Sequence, residues 1–256
     1  MTALLLGLWR RNLIELRRYW FDTFFQLAGI FLLFTLLFWG ARGIGGADIR
    51  DGDTLPAIVA GFVVLWLVLG AYFTMSQWMT QEATLGTLEQ LALSPFGLLN
   101  VLLAEFVASL GYQMLMVVVT LFAAQAVTGE WLHLDVVTLL PLVVLLLVQI
   151  LGLSLMVGGA AIVFKRVASM ANLLQFVFLA TVSLPIEDNP WLRAMPIALA
   201  NHLIRQSTVN RRSLSELDGG DLIQLVAVAV LYLVVGSLVF LRLERIARDR
   251  GVIGAH

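Results

Sequence analysis

Residues 136–164 read VVTLLPLVVLLLVQILGLSLMVGGAAIVF, a run without a single charge that is bounded by Asp135 on one side and by Lys165 and Arg166 on the other. A helix needs about 20 mostly apolar residues to cross roughly 30 Å of hydrocarbon, because lipid offers no partner to an open backbone amide. This stretch meets that requirement with residues to spare. Working outward, five more stretches meet it or come near it: 24–41, 55–77, 98–127, 167–184 and 222–241. Among the six, only 98–127 holds a charged residue, Glu105. The expectation is an all-α membrane protein of six transmembrane helices forming a single domain over residues 1–256.

Composition agrees. The chain is 60% hydrophobic and 13% charged, about half the charged share that lets a soluble domain cover itself with polar groups. It has no cysteine, which excludes disulfide frameworks, thiolate nucleophiles and zinc–thiolate sites. The opening MTALLLGLWRR puts its apolar residues before its arginines, unlike a secretory signal, and is read as mature sequence. Nothing in the net charge of -1 points to nucleic acid.

Lysine and arginine placement sets the expected orientation. With the N-terminus inside, that face receives Arg10, Arg11, Arg17, Arg18, Lys165, Arg166, Arg242, Arg245, Arg248 and Arg250, ten of the 16 basic residues. Both termini are therefore expected in the cytoplasm, in a multi-pass protein of the cell membrane. Asp53 or Thr54 ahead of Pro56, and Asp221, are the expected caps of the second and last spans.

Three segments are not spans. Residues 9–23 place Leu13, Leu16 and Trp20 on one helical stripe, running on to Phe24, with Arg11, Glu15, Arg18 and Asp22 opposite. That pattern predicts an amphipathic interface helix in the headgroup plane; a plain extension of the first span with basic anchors is the alternative. Residues 82–94 set Leu85, Leu88, Leu91 and Leu93 beside Glu82 and Glu89, without a base. A short helix there would show an apolar edge next to an acidic one, a shape suited to docking, and anionic headgroups would repel it. Residues 185–221 are broken by Pro185, Pro190 and Pro196 yet stay apolar at Trp191, Leu192, Met195, Ile197 and Leu199. They are expected to form helical pieces lying on or dipping into the outer leaflet.

In this arrangement the chain resembles the type-2 ATP-binding-cassette (ABC) exporter permeases. The resemblance is carried by Glu82, Gly86, Thr87, Leu88, Glu89, Leu91, Ser94 and Pro95 in the second cytoplasmic connection, and more loosely by Pro190, Trp191, Leu192, Pro196 and Arg205. One departure is visible where Thr181, Val182, Ser183 and Leu184 replace the Ser-Gly step that often closes the family's fifth span. The resemblance implies that residues 82–94 are a coupling helix seated in a cleft of a separate ATPase. It also implies two ATPase subunits per transporter, with ATP and Mg bound there and no cofactor on this chain.

The chain has no GxxxxGK loop followed by Ser or Thr, so hydrolysis has to lie elsewhere. Six helices are few to enclose a path and seal it from lipid, which calls for a second permease subunit, identical or different. Lys165 and Arg166 are candidate secondary ATPase contacts or, equally, topology anchors. Glu105, Gln113, Asn172 and Gln175 are candidates to line a pathway, with Gln125 and Gln149 beside them; interhelical hydrogen bonding accounts for buried amides as well. Ser154, Gly158, Gly159 and Ala160 would let another helix come close. The rivals are an ion-coupled carrier and a membrane-embedded enzyme. Midplane ionisable groups, an HExxH pair and paired intramembrane aspartates are all missing from the sequence. The apolar composition leans toward a drug-like or lipid-like substrate.

Overall fold

In a computed structural model of the chain, the described residues are 7–10, 14, 18, 20–44, 54–85, 97–129, 131–164, 168–183, 186 and 190–249. The α-helices with described bounds are α1 Trp20–Ile44, α2 Thr54–Leu85, α3 Leu98–Thr128, α4 Val136–Phe164, α5 Ala168–Ser183, α6 Ala198–Thr208 and α7 Gly219–Asp249; residues 7–10, 14 and 18 are helical as well. Two 3-10 turns, Pro190–Ala194 and Leu214–Glu216, flank α6. No strand occurs among the described residues.

Five helices, α1 to α4 and α7, are long and apolar enough to cross a membrane. The sixth apolar stretch forms α5, 16 residues long, whose rise of about 24 Å falls short of a typical hydrocarbon core. Two of the spans overrun the sequence reading by several residues. The stretch 55–77 becomes a helix ending at Leu85, and 222–241 becomes one ending at Asp249. The overruns are polar, so lipid cannot be what holds them helical.

Helix α2 is the hub, touching α3, α4, α5 and α6. Its Tyr72 and Met79 are fully buried in the main core with Leu102 of α3, Ile150 of α4 and Phe178 of α5. Tyr72 and Phe178 meet edge-on, ring centroids 5.1 Å apart, a favoured aromatic arrangement. A second, smaller core joins Phe34 and Phe38 of α1 to Val59 and Phe62 of α2 and Leu121 of α3.

The most extensive contact is between α4 and α7. Glycines make it possible: a Cβ on Gly152 would overlap the carbonyl of Tyr232, and one on Gly236 would overlap the carbonyl of Gly152. Farther along, a Cβ on Gly159 would stand 3.1 Å from Cα of Phe240. Close backbone approach through small residues is how helices associate where no hydrophobic effect drives them together. The other sides of α1, α3, α4, α5 and α7 expose Leu32, Val119, Val137, Phe176 and Val230, as a surface in contact with lipid requires.

Candidate functional site

Between α5 and α7, helix α6 packs against α2, α4, α5 and α7. Leu192, Ile197, Leu199 and Leu203 are buried, so their apolar surface lies against protein, and Trp191 alone among the named apolar residues of this segment stays largely exposed. Polar pairs fix this cap segment. Gln149, on α4, accepts a hydrogen bond from the Ile197 amide at 2.8 Å, meeting a donor left open at the start of α6. Ile197 has φ +76°, a left-handed conformation that is a genuine outlier for a β-branched residue. Asn201 donates to the carbonyl of Val182 at 3.1 Å, tying α6 to the end of α5 where the Ser-Gly step is replaced.

Asp221 does not cap α7 as expected. The helix opens at Gly219, Asp218 accepts from the Gly220 amide, and Asp221 in the first turn binds Arg193 at 2.7 Å. Across the cap, Asp135 opens α4 by accepting from the Val137 amide and the Thr138 hydroxyl. Thr138 in turn accepts from the Leu214 amide at 2.9 Å. The Thr138 hydroxyl, followed by the backbone amides of Val137 and Thr138 and the charge of His133, holds the Asp135 carboxyl below its ordinary range against a smaller opposing effect of desolvation.

The opposite end carries the start of α1, the end of α2 and the start of α3. Tyr112 donates to Gln26 at 3.3 Å, which sets the level of α1 against α3. At about 1.5 Å per residue, α1 begins about 9 Å from that level and Glu105 lies about 10 Å from it in the same direction. Glu105 is buried among helices and stands level with the polar entry to the first span, at the rim of the apolar layer. Trp9 of the N-terminal segment lies against α3 at Gly111, 3.1 Å from where its Cβ would be. Of the predicted interface helix over 9–23, residues 11–13, 15–17 and 19 are outside the described residues.

Gln113 is buried on α3 and donates to the carbonyl of Trp66 on α2 at 3.4 Å. A Cβ on Gly70 would fall inside its carboxamide. This contact registers α2 against α3 and carries Glu82 about 7 Å past the level at which α1 begins. Glu82 and Leu85 belong to the continuous helix α2, so the predicted docking segment starts as an extension of the second span. Its remaining residues, Gly86, Thr87, Leu88, Glu89, Leu91, Ser94 and Pro95, lie outside the described residues, as do Lys165 and Arg166. Of the other pathway candidates, Asn172 is exposed and Gln175 half-buried on α5, while Gln125 is buried near the end of α3. No group of three or more His, Asp or Glu residues that could hold a metal occurs among the described residues.

The family model for the ABC-2 type transporter matches residues 3–208. The chain belongs to that family. Five to six apolar helices and this membership make it a multi-pass membrane permease of the ABC transporter class. The family's membrane subunits transport and are not themselves catalytic, and they typically work with an ABC ATPase. No curated protein matches the chain. The match spans α1 to α6 and both ends of the α2–α3 hairpin; α7 follows it and is joined to the matched part through its long contact with α4.

Sequence reasoning did not find the role of Gln149, the cap at Asp135 or the pair Gly152 and Gly236. A glutamine and two glycines inside apolar runs were the available signals, since each is out of place in lipid unless another helix meets it.

Proposed function

We propose that the chain is the transmembrane subunit of an ATP-driven exporter, with six crossings, both termini in the cytoplasm, and a second permease subunit related to it by a two-fold axis. The substrate passes between the two subunits and is hydrophobic, drug-like or lipid-like. Residues 82–94 seat in the ATPase; closure of the ATPase pair on nucleotide supplies the differential binding energy that an alternating cycle requires. Lys165 and Arg166 add a second, smaller contact. The interface helix over 9–23 lies in the headgroup plane, and Glu105 at its level faces the inner rim.

The observation that carries this reading is the family match over residues 3–208, read together with the overrun of α2. A span of 32 residues rises about 48 Å, well beyond the hydrocarbon it has to cross. Its polar end, with Glu82, therefore lies beyond the apolar layer, which supports the reading. The test is affinity purification of the tagged chain followed by an ATPase assay, repeated with Glu82→Ala and Glu89→Ala. The reading expects a nucleotide-hydrolysing protein to co-purify and the two substitutions to loosen it while the helical fold stands. Transport by the isolated chain without a nucleotide-binding partner would point to a carrier instead.

A further inference from the structure

Helix α6 begins at mid-depth and climbs to a rim. The Ile197 amide at its start is held by Gln149, near the middle of the 29-residue α4 and about 20 Å along it from Val136. At its other end the Thr208 carbonyl accepts the His133 amide at 3.2 Å, just ahead of α4. The 11 residues of α6 rise about 16 Å, which fits the distance between these two ties. Asn201 bonds to Val182 near the end of α5. Arg205, one turn farther along, emerges past the level of Val182 and about 5 Å short of Thr208 at the rim. The chain then folds back, the Arg212 amide donating to the Gln206 carbonyl at 3.3 Å, so Arg211 and Arg212 come over the end of α6 close to Arg205.

All three arginines are exposed. The carboxylates around them are engaged elsewhere: Asp221 pairs with Arg193, Glu216 accepts from the Ser213 amide, Asp218 from the Gly220 amide and Asp135 from Thr138. No ion pair to Arg205, Arg211 or Arg212 occurs among the described residues. A cation at the edge of hydrocarbon without a counter-charge is costly, so the counter-charge comes from outside the chain. Arg211 carries a second sign, since its φ of +55° is a left-handed backbone that glycine or asparagine adopts more readily.

We infer that Arg205, Arg211 and Arg212 form a binding site for the anionic head of a phospholipid in the leaflet that borders this rim. Guanidinium forks match phosphate oxygens in pairs, and the long stem of Arg205 lets its charge rise from below the rim to the phosphate level. Lower down, α5 exposes Leu173, Phe176 and Leu179, an apolar flank suited to acyl chains and of no use to a dissolved anion. The inference goes beyond the proposed function. Under the orientation proposed there the leaflet is the outer one, where topology does not call for arginines.

The chain has no cysteine, so a fluorophore on Asn210→Cys, an exposed position between the arginines, reports on this rim alone. The full chain is placed in phosphatidylcholine nanodiscs that contain a small fraction of acyl-spin-labelled phosphatidylglycerol or, in the control, acyl-spin-labelled phosphatidylcholine. The site predicts local enrichment of phosphatidylglycerol, read as quenching, on the order of fivefold or more over phosphatidylcholine. Replacing all three arginines by glutamine should abolish the preference, whereas Arg242→Gln with Arg245→Gln at the far end of α7 should leave it intact. Arg211→Gly separates binding from folding, since it should weaken the preference while raising the melting midpoint through relief of the backbone. Equal quenching by the two lipids, a preference that survives the triple substitution, or its loss to millimolar inorganic phosphate would overturn the inference, the last by showing a site for a dissolved anion. Failure of the proposed function appears differently, as absence of any co-purifying ATPase, and leaves this measurement on the chain itself intact.

Discussion

Gly152 of α4 and Gly236 of α7 face each other so closely that a methyl group on Gly236 would overlap the carbonyl oxygen of Gly152. The two backbones are in contact, and packing alone holds them because lipid is as apolar as any side chain on either helix. Gly236→Ala or Gly152→Ala should therefore cost about 1–3 kcal/mol through overpacking. Gly158→Ala, whose obstacle is the Met79 side chain at 3.2 Å, should cost less, since methionine adapts its shape readily. Thermal unfolding of the purified variants in one detergent checks the order; equal midpoints for Gly236→Ala and Gly158→Ala would contradict it.

The Gln149 side chain is the acceptor for the Ile197 amide at a strained backbone. Gln149→Leu leaves that buried donor without its acceptor and should cost about 1–3 kcal/mol. Gln149→Glu keeps an oxygen at the same place and, if protonated in its buried setting, should be milder. Proteolysis of the cap between α5 and α7 is a second readout, expected to accelerate for Gln149→Leu before the bundle itself unfolds.

Asp135 gives a dependence on pH with a defined sign. Its carboxyl is held below the ordinary range, chiefly by the Thr138 hydroxyl, so the folded state favours the ionised form. The contribution is fully present above the unfolded value of about 3.9 and is lost as pH falls through the lowered folded value. Between neutral pH and about 5 it should be flat. Asp135→Asn should flatten part of the acid limb of a plot of melting temperature against pH, and an acid limb identical to that of the parent would show that the cap contributes nothing.

Arg193 and Asp221 tie the 3-10 turn after α5 to the first turn of α7 at 2.7 Å. The arginine is more than a third exposed, so solvent screening limits the pair to the order of 1 kcal/mol. Asp221→Ala and Arg193→Ala should each shift the melting midpoint slightly, and the double variant should shift it by no more than the larger single effect.

The spans were legible because about 20 apolar residues in lipid leave one backbone solution, and residues 136–164 stand in the structure with the bounds their sequence suggests. Helix ends beyond the apolar layer were not legible. Gln81 and Glu82 look like a connection by hydropathy, yet both continue α2, because a helix already nucleated extends through polar residues with good helix propensity. Partners across helices were equally hidden. Gln113 and Gln149 were recognisable as amides in apolar runs, but that each would meet a backbone group, and which one, depends on the register of α2 against α3 and of α4 against α6. Asp221 was misassigned by three residues because Asp218 offers the same capping chemistry about one turn earlier. The acidic docking segment was read from its pattern and from family resemblance, and beyond Leu85 it lies outside the described residues.

The central claim is that an acidic segment leaving α2 engages a nucleotide-driven partner on the cytoplasmic side. The most direct measurement places a single cysteine at Glu89 in this cysteine-free chain and follows labelling by a membrane-impermeant maleimide in oriented vesicles. The account predicts labelling from the cytoplasmic side alone and protection when the ABC ATPase is bound. Labelling from the outer side, or a rate that bound ATPase leaves unchanged, would contradict it.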